Sequence, residues 1–477
     1  MKNSPWLCFL LCVFFSAVGH AQQKWDLRQC IDYALNNNIS VKQQDVQARI
    51  TQLQYNQSKL SQYPSASFSA NTGYSSGRNQ NPVTFDLITQ GYLFSQYNLQ
   101  ASVELFNWFS KLNEVASNQL QYQAALASVD KLKNDIALNI AGAYLQVLLA
   151  REQIKVSEIQ VGQTTAQLEN TRKLVRAGNL PELNAVQLEA QLANDSSVLV
   201  SVQGNARQAL LNLKALLSLD ASAPFDITTP NINSIPLDDL ASLQPDAVYA
   251  LAVKNLPQQR VNELRIKASE KAIASAKGAR YPSIGVFGSL GSSYNNRAQE
   301  VTGLSTFIAP VGKVTVGGTQ YDVFPNQPFI NYNYGRIPYF NQLDQNFRQS
   351  VGLSLSVPIA NGGVLRTNYE RSKLNLKNYQ LQKQADDLTL KQDIYKAYND
   401  VITSTAKYNA TIKQTEAAQR AFDFATKRYG VGLLNTIDLI TTQNNLFSAQ
   451  LQRLLAQYDF VFKMKVLEFY KGQGLRL

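Results

Sequence analysis

Apolar positions recur every three or four residues through 109–177, as at Val129, Leu132, Ile136, Ile140, Ala143 and Val147, and no proline interrupts the run. That period predicts one nearly continuous helix, on the order of 100 Å long at about 1.5 Å per residue. The same pattern returns at 363–431. Shorter helical runs cover 25–62, where Leu27, Ile31, Ala34 and Leu35 share a side and Pro64 ends the run, and also 180–217 and 245–279. The last two together nearly match the long helix in length. They are expected to stack end to end beside it, joined by the non-helical segment 218–244 with Pro224, Pro230 and Pro236 and with Pro245 after it.

A period of two marks different elements. Phe68, Ala70 and Thr72 alternate with serine and asparagine in 66–74, and Leu99, Ala101, Val103 and Leu105 oppose Gln100, Ser102 and Glu104 in 99–106. Residues 284–292 and 350–359 repeat the pattern, the latter with Val351, Leu353, Leu355, Val357 and Ile359 opposite Gly352, Ser354 and Ser356. Each is expected to be a half-buried strand. Residues 75–96, polar and rich in glycine and asparagine, are expected to connect the first two. Tyr63, Tyr74, Tyr92, Phe94, Tyr97 and Phe106 lie near strand ends, as in the aromatic girdles of membrane barrels. Soluble sheets show the same placement, so the strands alone leave both environments open.

The chain repeats itself. An offset of 254 carries Val103 to Val357, Asn107 to Asn361, Ile140 to Ile394, Ala143-Tyr144 to Ala397-Tyr398 and Gly178 to Gly432 without a gap. Upstream the offset is 218, carrying Asn37 to Asn255, Tyr63-Pro64-Ser65 to Tyr281-Pro282-Ser283 and Gly73 to Gly291. The difference requires an insertion of about 36 residues in the second half, and an internal repeat of this kind implies two copies of one structural unit. The expected division is 22–240 and 241–477, the second with a long loop at about 293–347. Each copy bends at a glycine between two helices. Gly178 and Gly432 suit the left-handed helix end, while Asn179 with Glu182 and Asn435 with Asp438 have capping-box spacing. Arg172, Lys173 and Arg176, and Lys427 and Arg428, sit at the incoming helix ends, where the dipole favours cations.

Composition narrows the chemistry. Residues 1–21 have Lys2, an apolar block from Trp6 to Val18 and a small-residue ending Gly19-His20-Ala21, which reads as a signal peptide. Neither Cys8 nor Cys12 follows the small residues of a lipoprotein cleavage site, so no lipid anchor is expected there. Once that segment is removed, no histidine remains and Cys30 is the lone cysteine. Histidine triads, imidazole metal sites and internal disulfides are thereby excluded. No acidic calcium loop or phosphate-binding glycine motif takes their place. No catalytic, cofactor-binding or metal site is expected, and Cys30 is read as a small buried apolar residue. The net charge of +11 is spread singly along helices, which suits a solvated face and gives no ground for a nucleic-acid partner.

After residue 21 no 18 consecutive apolar residues occur, so a membrane-spanning helix is not expected. Four strands remain as a route across a bilayer. Lipid does not tolerate an open sheet edge, and closed barrels need about eight strands or more. A membrane role therefore requires several copies of the chain to share one barrel.

The chain resembles the TolC-like outer-membrane efflux proteins over nearly its whole length. The resemblance rests on the repeated helix-strand-strand-helix-helix unit and on Tyr-Pro-Ser before the first strand of each copy. It rests also on Val-Pro-Ile-Ala-Asn-Gly-Gly at 357–363 and on Tyr429-Gly430-Val431-Gly432-Leu433 followed by Asp438 and Leu439. One departure is Trp108-Phe109, which stand where the second copy has Gly362-Gly363. The resemblance implies a mainly α protein with a small β part: a long antiparallel α-helical barrel, or tunnel, continuous with a shared 12-stranded transmembrane β-barrel of four strands per protomer. It implies a homotrimer in the outer membrane of a Gram-negative bacterium, extending into the periplasm. A periplasmic adaptor and an inner-membrane transporter would be its partners, and it would act as the passive exit duct of an efflux or type I secretion system. Family members narrow near the bends, which makes Asp438, Thr441, Asn184 and Gln187 the aperture candidates here; capping alone also accounts for Asp438. The insertion would lie outside the cell, as an ordinary loop, a partial lid or a receptor epitope. The other readings are a water-soluble periplasmic coiled-coil scaffold or adaptor without a pore, and a carboxylate-dependent hydrolase for which no site is visible.

Overall fold

The computed structural model describes residues 24–80, 85–230, 232 and 235–472. The expected signal peptide lies outside them. The described chain forms α1 (Leu27–Asn37), α2 (Ile39–Leu60), β1 (Ser65–Gln80), β2 (Leu87–Phe106), α3 (Ser110–Arg176) and α4 (Glu182–Leu217). It continues as α5 (Pro245–Asn255), α6 (Pro257–Gly278), β3 (Ser283–Asn295), β4 (Gln299–Phe307), β5 (Gly312–Val316), β6 (Thr319–Val323), β7 (Phe329–Arg336), α7 (Tyr339–Gln345), β8 (Arg348–Ser356), α8 (Val364–Gly430) and α9 (Thr436–Tyr470). The described residues form two compact units, one from 24–53, 119–268 and 375–472, the other from 54–118 and 269–374. None of the described helices is long and apolar enough to cross a membrane.

The first unit is helical. α3 and α8 each run 67 residues without a break, about 100 Å of helix. Their cores lie near mid-length, where shorter helices meet end to end, but the pairs are α4 with α1 and α9 with α5 rather than 180–217 with 245–279 as expected, because each short helix packs beside the long helix of its own copy. Leu213 and Leu217 at the end of α4 pack with Leu27, Cys30 and Ala34 of α1 against Ile140 and Leu148 of α3. In the second copy Met464 and Leu467 of α9 and Val248 and Ala252 of α5 pack against Ile394 and Val401 of α8. The segment between α4 and α5 is tied down by polar contacts. Trp25 N–H donates to Asp226 O at 3.0 Å and Thr228 N–H to Trp25 O at 2.9 Å. Tyr144 Oη donates to Thr228 O at 2.9 Å, and Arg151 holds the Asp226 carboxylate.

Two helices expected to be continuous are split. Asn38 leaves the helical conformation at φ −59°, ψ 129°, and its amide donates to Leu216 O at 2.9 Å while its carbonyl oxygen accepts from Ser40 N–H. Leu256 does the same before Pro257, because the residue preceding a proline is pushed out of the helical region.

The second unit holds an antiparallel sheet of order β1-β2-β3-β8. The strands are longer than expected on one side. Residues 75–96 were expected as connector, yet 75–80 pair with 87–92, from Ser75↔Tyr92 up to Gln80↔Leu87, and 93–96 pair with 71–74. β8 stops at Ser356 rather than at residue 359, since Pro358 has no N–H to donate. The insertion is not a plain loop: β4 pairs with β7 and β5 with β6 as two nested ribbons, followed by the short helix α7.

Candidate functional site: the helical bends and the two-faced sheet

Both bends form as the glycines dictate. Gly178 has φ +75° and Gly432 φ +76°, with open space around each. In the first, Gly178 N–H donates to Val175 O and Asn179 N–H to Leu174 O; in the second, Gly432 N–H donates to Tyr429 O and Leu433 N–H to Arg428 O. These paired bonds satisfy the last carbonyls of the incoming helix.

The outgoing helices start differently. Asn435 caps α9: its Oδ1 accepts from Asp438 N–H at 2.7 Å and its Nδ2 donates to Asp438 Oδ2 at 2.8 Å. The first copy departs from the capping box expected there. Pro181 occupies the cap position with no side-chain bond, and Asn179 is consumed by the closing turn, so Glu182 has no capping partner in Asn179.

Asp438 is exposed in the first turn of α9, and no ion pair engages it among the described residues. Thr441 is exposed too, its hydroxyl donating to Ile437 O at 2.8 Å. Asn184 and Gln187 are half-buried in the first turns of α4. The two bends pack on one another: Leu180 joins the cluster of Phe422, Tyr429, Leu439 and Leu446, and Ile440 joins Leu168, Ala185 and Leu188. Thr171 and Tyr429 share a hydroxyl hydrogen bond at 2.9 Å between copies. The candidates therefore sit on two adjacent hairpins at one end of the helical unit.

A polar cluster behind the bends escaped the sequence reading. Asp195 of α4 is only 5% exposed, yet it accepts from Thr164 Oγ1 at 2.6 Å, Gln160 Nε2 at 3.4 Å and Gln191 Nε2 at 2.7 Å. Gln443 of α9 donates to Thr164 at 2.8 Å, and Gln191 donates to Asn444 at 3.0 Å. The carboxylate thus joins α4 to α3, and Thr164 and Gln191 carry the link on to α9. Its signal in the sequence, one aspartate among Asn194, Ser196 and other small polar residues, is too ordinary to single out.

The sheet has two chemically distinct faces. On one lie Ser65, Ser67, Ser69 and Asn71 of β1, set by the pairing beside Ser102, Gln100, Asn98 and Gln96 of β2. Ser289 and Ser293 of β3 and Ser350 and Ser354 of β8 extend it. Phe287 also falls on this side, where its ring takes the space that a side chain at Gly352 would need. On the other face lie Phe68, Leu99, Val103, Ile284, Leu290, Val351, Leu353 and Leu355 in one band. That face is bare: Phe68 is 66% exposed, Val351 83% and Leu353 76%. Exposed apolar area of this extent marks an interaction surface. Both edge strands, β1 and β8, also carry one unpaired side.

A chain with paired long helices, tight glycine bends and a short sheet whose apolar face and edges are open belongs to a class built to be completed by a further surface. The model of the family described as outer membrane efflux protein matches residues 30–218 and 248–468, and the chain belongs to that family of outer-membrane proteins. It is 24% identical over 366 residues to the pyoverdine export outer membrane protein OpmQ of Pseudomonas aeruginosa, covering 74% of this chain and 64% of OpmQ. It is 22% identical over 337 residues to the outer membrane protein TolC of Escherichia coli, covering 68% of this chain and 59% of TolC. The aligned part thus spans less than two thirds of either relative. Among solved structures the fold is similar to that of CusC, described for transmembrane channel formation, with a TM-score of 0.76 at 16% identity and 96% of both chains covered.

Proposed function

We propose that the chain is one of three identical subunits of an outer-membrane exit duct, a passive conduit for substrates across the periplasm and the outer membrane. The observation that carries this is the four-stranded sheet with one bare apolar face, one serine-rich face and two open edges. Lipid does not tolerate those edges, and three copies supply twelve strands, enough to close a barrel. Twelve strands about 4.8 Å apart and tilted about 40° enclose a ring roughly 24 Å across. The serine faces would line water, and a passage of that width leaves recognition to a pump. The helical hairpins continue the duct and dock on a periplasmic adaptor and an inner-membrane transporter. The halves 22–240 and 241–477 are two copies of one unit; the equal 67-residue helices at matching offsets support this.

Asp438 narrows and charges the periplasmic end in this reading, with Thr441, Asn184 and Gln187 beside it. Its exposure and lack of an ion pair support the role, although its first-turn position also serves the helix dipole. Three symmetry-related carboxylates in one constriction attract cations.

The test is to purify the protein from outer membranes and measure its stoichiometry in detergent and its conductance in planar bilayers. A conducting trimer is expected; a folded monomer that stays in aqueous buffer without detergent overturns the proposal. Asp438→Asn is expected to weaken cation preference in single-channel recordings, and unchanged selectivity removes the aperture role while leaving the duct intact.

A further inference from the structure

The edge strands of the sheet are unequal. β1 has 16 residues and β8 has 9. If β8 of one copy pairs with β1 of the next, any register leaves at least the difference unpaired on β1. The part inside the membrane must be paired, so the surplus lies at the end away from the helices, toward residue 80.

Within the protomer the same gap is already filled. β3 pairs with β2 up to Asn295 but with β8 only up to Gly291. Beyond Gly291, α7 takes the lane that β8 has not yet entered. Gln342, 2% exposed, accepts from Asn295 N–H and donates to Asn295 O, both at 2.9 Å, so its amide imitates a strand residue. Asn346 Nδ2 donates to Ser293 O at 2.7 Å. Tyr339 laps onto the apolar face, its hydroxyl 2.7 Å from that of Tyr97 and its ring 4.7 Å from Tyr294. Gln342 also donates to Ile337 O at 2.9 Å, which fixes the foot of the β4–β7 ribbon to the same point.

The outer side of this plug has no cover. Phe340 is 80% exposed and Phe347 54%. Tyr97 is nine positions beyond Phe106 on β2. That is about 30 Å of strand, or roughly 23 Å along the axis of a barrel tilted about 40°, close to the height of about 25 Å for an apolar band. α7 therefore stands where the band ends. Asn341, Asp344 and Gln345 are exposed beside Phe340, a mixture that suits a protein contact at the water level better than hydrocarbon.

We propose that α7 closes the subunit seam above β8, with Phe340 and Phe347 packed against β1 of a second copy of this chain over residues 72–80. The inference rests on the trimeric reading above and is continuous with its seam. Tyr74, 67% exposed on the apolar face of β1, is the natural contact. The insertion then acts as a strap between copies, seated on its own sheet by Gln342 and on the next by Phe340.

The test replaces Phe340 with photoreactive p-benzoylphenylalanine in the full-length protein and irradiates it in outer membranes. Copies labelled with heavy and normal nitrogen are co-expressed, and the cross-linked peptides are mapped by mass spectrometry. Mixed-isotope adducts to 72–80 are expected. Adducts to lipid, to the same copy or to another segment overturn the seam contact. Phe340→Asp is expected to lower the temperature at which the trimer dissociates in sodium dodecyl sulfate by several degrees, with Phe340→Leu nearer the wild type; equal temperatures for all three also overturn it. A trimeric wild type with no 72–80 adduct in the photoreactive variant sinks this inference alone, whereas a wild-type monomer sinks the duct reading as well.

Discussion

Two glycines inside helices make opposite predictions for the same substitution. At Gly278, the last residue of α6, an added Cβ lies 2.7 Å from Trp108 O and 3.1 Å from Ser110 Cα and Cβ. Backbone cannot rotate aside, and this corner is pinned by Ser110 Oγ donating to Ser275 O at 2.9 Å and by the Trp108 ring against Tyr281. Overpacking of this kind costs about 1–3 kcal/mol. The gain from replacing glycine in a helix is about 1 kcal/mol at best, and less at a terminus. With roughly half of that gain at the terminus, Gly278→Ala should destabilise the protein by about 0.5–2.5 kcal/mol, the difference between the two effects. At Gly162, in the interior of α3, an added Cβ meets nothing within 4 Å. Only the helix term remains, and Gly162→Ala should stabilise by about 0.5–1 kcal/mol. Urea unfolding in detergent, followed by tryptophan fluorescence, measures both. The residues are far apart in sequence and share no contacts, so the double variant should sum the two effects. A Gly278→Ala protein as stable as the wild type would refute the close approach of α6 to the strand-helix corner.

Three further outcomes follow from named contacts. Asn435→Ala should cost about 1 kcal/mol by removing the cap of α9, whereas Asn179→Ala should be nearly neutral because its side chain caps nothing; equal losses in thermal unfolding would contradict the asymmetry. Burial opposes ionisation of Asp226, but the Arg151 hydrogen bond, the Ile227 amide and the charges of Arg151 and Lys24 outweigh it and hold the carboxyl below its usual range. A depressed folded value means stability that is full above about pH 4 and lost as pH falls through the folded value; Asp226→Asn should flatten that acid limb, and parallel pH curves would rule it out. Burial, with the nearby charge of Asp26, pushes the Cys30 thiol up to about 12, so maleimide should leave it untouched at pH 8 until denaturant is added, and rapid labelling of the folded protein would show an open core.

What the sequence made legible tracks how many positions repeat one instruction. α3 was expected at 109–177 and spans Ser110–Arg176, because dozens of apolar residues at one period outvote every local irregularity. The strands were legible only where one face is apolar and the other polar. Beyond Tyr74 and before Leu99 the alternation fades into serine, glycine, asparagine and tyrosine, so 75–80 and 87–96 looked like connector although 75–80 pair with 87–92 and 93–96 with 71–74. The helix break at Asn38 carries no proline; its cause is a side chain reaching Leu216 from far along the chain, which no local pattern encodes. Asn179 failed as a cap for a similar reason, since the same spacing fits two roles and the turn claimed the residue first. Asp195 and Gln342 are single polar residues whose importance comes from what surrounds them.

The departure of Trp108-Phe109 from Gly362-Gly363 has a physical reading. The backbone is the same in both copies: φ is +51° and +60° at the aromatic pair and +63° and +79° at the glycines. The strand-to-helix corner thus demands a left-handed pair whatever residues fill it. Glycine adopts that conformation freely, whereas a residue with a Cβ costs about 1–2 kcal/mol. The first copy sustains the strain because its rings are engaged, Phe109 edge-on to Phe106 at 5.9 Å and Trp108 against Phe106 at 5.5 Å and Tyr281 at 5.1 Å. Aromatic pairs contribute about 0.5–1.5 kcal/mol each, the same order as the strain. Trp108 and Phe109 remain 46% and 62% exposed, at the end of the apolar face where a membrane interface favours such rings. A corner shaped by geometry in one copy has become, in the other, a corner that also marks the edge of the exposed apolar band, and the repeat could diverge there because the strain and the ring contacts nearly balance.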